Sequence, residues 1–62
     1  MQPVSIVVKR IMRAKGFTQS QVSKALRISQ MSISYYVNDR WQPKRINREK
    51  IERYCRKHGI KF

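Results

Sequence analysis

Few of the 62 residues could do covalent or acid–base chemistry. The chain has one cysteine, Cys55, one histidine, His58, and only three acids, Asp39, Glu49 and Glu52. Cys55 falls on an apolar stripe with Ile51 and Tyr54, where a thiol behaves as a small hydrophobe, and His58 one turn later is the only nearby group that could activate it. Glu49 and Glu52 stand at i, i+3 among Lys50, Arg53 and Arg56, so ion pairing is expected of them in place of an acid/base role. One Cys and one His cannot assemble a zinc-type cluster or an intramolecular disulfide. Gly16 and Gly59 are the only glycines, and both stand at helix ends, so no glycine-rich phosphate loop exists. The expectation is a protein that is not an enzyme and has no cofactor, metal or small-molecule ligand.

What remains is the chemistry of reversible binding. Fifteen Lys plus Arg against three acids give a net charge of +12, which points to a polyanionic partner. The cations run from Lys9 to Lys61 instead of forming one tail, so the basic surface belongs to a folded body. A chain of this length makes a single domain, residues 1–62. It buries roughly 60% of the surface its unfolded form exposes, with a stability of a few kcal/mol. The longest apolar run, Ile6 to Val8, is far short of the roughly 20 residues of a membrane span, and the N-terminus lacks the apolar core of a signal peptide. A reducing, cytoplasmic setting is expected, without membrane association.

The elements that would position a binding surface follow from caps and apolar spacing. Pro3 suits a helix start, and Val4, Val7, Val8, Ile11, Met12 and Ala14 give an apolar face up to Lys15, with Gly16 as the stop. Thr18 and Gln21 form a Thr-x-x-Gln capping box for a helix from Gln19 to Leu26, with Phe17 placed to staple onto Val22. Ser29 caps a second helix, Gln30 to Asn38, with Ile28 placed to staple onto Ile33. Val22, Ala25 and Leu26 in one helix, and Ile33, Tyr36 and Val37 in the other, repeat i, i+3, i+4 and give each a narrow core stripe. After the Asn38–Asp39 turn and Pro43, Asn47 is expected to cap a last helix from Arg48 to about His58, with Ile46 stapling onto Ile51. Trp41 is expected to pack over the core, with a dimer contact or packing against phosphate as the alternative. Ile60 and Phe62 either fold back or meet a second subunit. The fold class is all-α, a compact domain of four helices, with five as the alternative.

Two short helices joined through Arg27, Ile28 and Ser29 make a helix-turn-helix, residues 18 to 38. The stretch GFTQSQVSKALRISQMSISYYVNDRWQP resembles the motif of the bacteriophage repressor and Cro class, the lambda-repressor-like domains. Thr18-Gln19, Val22-Ser23, Arg27-Ile28, Ser29-Gln30 and Ile33-Ser34 stand at the family's characteristic places. Arg27 replaces the usual turn glycine, where a left-handed backbone would cost of order 1 kcal/mol, and Ser23 replaces the usual alanine.

The resemblance implies a transcriptional regulator that binds double-stranded DNA, with residues 30 to 38 as the helix that enters the major groove. Gln30, Met31, Ser34 and Tyr35 are then the candidates for base contacts: Gln30 for adenine, Met31 for a thymine methyl, Ser34 as donor or acceptor. Tyr35 is either such a contact, through groove or phosphate, or a partly packed surface aromatic. Gln19, Asn38, Arg40, Lys44 and Arg45 are the candidates for the sugar-phosphate backbone. The resemblance further implies a Cro-like phage or prophage repressor in a bacterial cytoplasm, binding a pseudo-palindromic operator as a homodimer. An excisionase-type or architectural DNA-binding protein is the alternative, and an RNA-binding protein a further one.

Overall fold

The computed structural model describes residues 2–62 and contains four helices: α1 Val4–Lys15, α2 Gln19–Leu26, α3 Gln30–Val37 and α4 Arg45–His58. No strand occurs among the described residues, and the molecule measures 25 × 22 × 18 Å. The expected looseness of the N-terminus falls partly on Met1, which lies outside the described residues.

The first three helices begin and end where local signals place them, to within a residue. Pro3 precedes α1 and its carbonyl accepts from Ile6 and Val7. Gly16 closes α1 at φ 66°, a left-handed conformation that glycine adopts without steric cost, and Arg13 and Lys15 complement the negative helix end. Val4, Val7, Val8 and Ile11 are fully buried, whereas Ala14, expected on the same face, is exposed. They meet Val22 and Leu26 of α2, Ile28 of the turn, Ile33 and Tyr36 of α3, and Ile51 and Cys55 of α4 in one core. α1 and α2 both pack on α3, and α2 on α4. Phe17 also packs on this core, and the buried pair Ile28 and Ile33 brackets the start of α3.

Further expectations are corrected. Ala25 is exposed, so α2 buries only Val22 and Leu26 fully, with the polar Ser23 half-buried beside them. The last helix begins at Arg45, one turn earlier than expected, and Asn47 lies inside it; its amide donates 3.0 Å to the Tyr36 hydroxyl instead of capping. Ile46 is 70% exposed and staples nothing. Trp41, at 57% exposed, does not cover the core. At the C-terminus the first alternative holds, because Ile60 and Phe62 fold back against the core and Arg56 lies 5.6 Å over the Phe62 ring.

Candidate nucleic-acid interface

Local hydrogen bonds hold the two motif helices. The Thr18 hydroxyl accepts from the Gln21 amide at 3.3 Å, and the Gln21 side chain accepts from the Thr18 amide at 2.8 Å, completing the capping box. Ser29 repeats the cap one element later, its hydroxyl accepting from the Ser32 amide at 3.2 Å. Between them Arg27 adopts φ 57°, the left-handed turn at a non-glycine residue. Two longer-range bonds stabilise that turn: Ser23 donates to the Ile28 carbonyl, and the Lys50 ammonium donates 2.9 Å to the Arg27 carbonyl. Ser23, standing where the related motif has alanine, therefore ties the turn to α2.

With Ile33 and Tyr36 buried, α3 turns its other side outward. Gln30 is exposed, Met31 is 67% exposed, and Ser34 and Tyr35 are half-buried. An apolar thioether left in water at the start of a helix is a side chain without an internal partner, suited to contact with another apolar group. Gln19 is half-buried at the first position of α2. Asn38 closes α3, and its amide folds back to donate 2.9 Å to the Ser34 carbonyl. This bond holds Asn38 against the helix end.

Beyond Asn38 the chain turns through Asp39, itself at φ 58°. Arg40 and Lys44 follow, both exposed. Lys44 and Arg45 belong to the start of α4 and not to the loop, and the Arg45 guanidinium donates 3.1 Å to Glu49 at the surface. The loop carries a residue that sequence reasoning placed elsewhere: Trp41 rests on Tyr35 with ring centroids 4.3 Å apart and planes at 38°. Trp41 borders an open cleft of about 610 Å³ lined also by Ser32, Tyr36, Arg40, Gln42, Lys44 and Asn47.

The groups that could suggest acid–base chemistry lie elsewhere. Burial, with Glu52 adding to it, pushes the Cys55 thiol up from its ordinary value, which keeps it protonated and unreactive. Desolvation, with Lys15 and Lys57 nearby, holds the His58 imidazole below its ordinary value, and its ring stacks on Tyr54 at 4.2 Å. No group of three or more His, Cys, Asp and Glu side chains that could hold a metal occurs among the described residues, and no helix is long and apolar enough to cross a membrane.

A short outward-facing helix free of charge, held by caps on a four-helix scaffold and followed by cations, defines a helix-turn-helix DNA-binding domain. The helix-turn-helix family model matches residues 8–62, nearly the whole chain, and the protein belongs to that family, a family of DNA-binding regulators of Cro/C1 type. No curated protein and no solved structure matches it. The chain is thus a DNA-binding transcriptional regulator.

Proposed function

We propose that the protein is a sequence-specific repressor of the Cro-like phage or prophage kind, which occupies an operator in a bacterial cytoplasm and excludes polymerase. The observation that carries this reading is the division of labour around α3. The helix itself, Gln30–Val37, contains no charged residue, so its outward side chains can enter a groove only by hydrogen bonding and apolar contact. Gln30 bonds an adenine edge, Met31 rests on a thymine methyl, and Ser34 and Tyr35 complete the base-reading set. Gln19, Asn38, Arg40, Lys44 and Arg45 flank it and hold the phosphates, which fixes register without reading sequence. Arg45 exchanges its exposed bond to Glu49 for phosphate at little cost, because such surface pairs are worth only ~0–1 kcal/mol.

A single helix of this length spans few base pairs, so two copies on a pseudo-palindromic site, with half-sites about one helical turn apart, supply the rest of the specificity. Selection of bound duplexes from a random pool tests the whole reading. A two-fold symmetric consensus is expected. Recovery of no consensus would leave a general DNA binder and overturn the repressor assignment.

A further inference from the structure

The cleft beside α3 has a composition that duplex binding does not call for. Trp41 is the only tryptophan, sits 57% exposed on a loop, and keeps its place by stacking on Tyr35. An exposed indole normally finds apolar cover, and here the Tyr35 ring beside it leaves the residue 57% exposed. Around it stand two exposed cations, Arg40 and Lys44, and two amides, Gln42 and Asn47. The volume, about 610 Å³, falls in the range of small-ligand sites. A planar π face, cations beside it and amides beyond it together match one nucleotide: base on the ring, phosphate on the cations, base edge on the amides. The Asn47 amide nitrogen donates 3.0 Å to the Tyr36 hydroxyl, which leaves its side-chain oxygen to serve as an acceptor.

We propose that this cleft binds an unpaired nucleotide of a single strand, giving the protein a single-strand binding activity beside its recognition of duplex DNA. Bases inside a duplex are stacked on one another and cannot reach the Trp41 face, so the site discriminates strand from duplex. A strand is favoured over a free mononucleotide because Arg40, Trp41, Gln42 and Lys44 are all exposed, so the cleft is open where a chain must enter and leave. The inference stands on the aromatic cleft and goes beyond the repressor reading.

Trp41 emission reports directly on the site, with no other indole to obscure it. The probes are an oligothymidylate of about eight nucleotides, within the site sizes of small strand-binding domains, an abasic strand of equal length, thymidine monophosphate and a random duplex. The oligothymidylate is expected to quench Trp41 and to bind more tightly than the abasic strand. Trp41→Ala should weaken strand binding about ten-fold, the worth of one stacked base, while Trp41→Phe, which keeps a ring beside Tyr35, retains most of it, and in both the loss on the random duplex is smaller than the loss on the strand. Equal binding of the abasic strand, equal loss by Trp41→Ala on strand and duplex, or saturation by the mononucleotide at strand concentrations would each overturn the proposal. Because duplex affinity is measured separately, failure of the duplex reading appears in a different arm. Trp41 is exposed and is not one of the buried core residues, so circular dichroism should show both variants folded.

Discussion

α3 and α4 both contribute to one small core, yet they differ in almost everything else. α3 has a side-chain cap at Ser29, no charged residue and an outward face of amide, thioether and hydroxyl groups. α4 has no side-chain cap and carries Arg45, Arg48, Lys50, Arg53, Arg56 and Lys57. A helix that discriminates among bases must be placed to a fraction of an ångström, so its start is held by Ser29 and by the buried Ile28 and Ile33. A helix that supplies charge can tolerate a looser start, because Coulomb attraction to phosphate falls slowly with distance. On the proposed reading, sequence preference comes from the uncharged α3, and affinity from the cations of the loop and the start of α4.

The comparison breaks most completely if the core beneath α3 is hollowed. Ile33→Ala removes a fully buried side chain and should cost ~2–5 kcal/mol, a large share of the total for so small a domain. Thermal melting should show the variant partly or wholly unfolded near room temperature, with all DNA binding lost together.

The next effects separate the two helices. Gln30→Ala should weaken the selected site by ~1–3 kcal/mol and relax preference at one base pair, with binding to random duplex nearly unchanged. Arg45→Ala should lower binding to every duplex alike and reduce the slope of log affinity against log salt by about one ion. Competition titrations at several salt concentrations read both. A Gln30 loss shared equally by random DNA, or an unchanged salt slope for Arg45, would collapse the distinction.

What was legible in the sequence was what short-range chemistry decides. Thr18, Ser29 and Gly16 act within one helical turn, and the starts and stops they announce are the ones observed. Arg27 was legible only through the resemblance, because the related motifs carry glycine at this place, and its φ of 57° is the left-handed turn that glycine would have marked. Asn47 misled because its amide satisfies the usual capping rule, while in the fold it serves a partner eleven residues back, the Tyr36 hydroxyl. Trp41 misled because indoles usually bury, whereas its contact with Tyr35 depends on the reversal through Asp39 at φ 58°, which composition does not announce. The exposed face of α3 was legible as the remainder of its core stripe. The cleft beside it was not, because it joins α3, a loop and α4.

A smaller effect sharpens the view of the motif turn. Arg27→Gly relieves a left-handed residue and should raise stability by up to about 1 kcal/mol, less the entropy that glycine adds to the unfolded chain. The Lys50 bond to the backbone carbonyl at this position survives the change, so a fall in the melting midpoint would mean that the arginine side chain itself holds the turn.

The smallest effect lies at the C-terminal end of α4, at His58. The folded chain holds the His58 imidazole below its ordinary value through desolvation and the charges of Lys15 and Lys57. The unfolded chain therefore takes up the proton first as pH falls. Stability attached to this group is complete above the ordinary histidine value, near 6.5, and is lost as pH drops through the lower folded value. Melting midpoints measured from neutral pH downward should fall modestly in this window, and His58→Gln should flatten that dependence while leaving DNA affinity at neutral pH unchanged. A variant that kept the full slope would overturn the assignment of this dependence to His58.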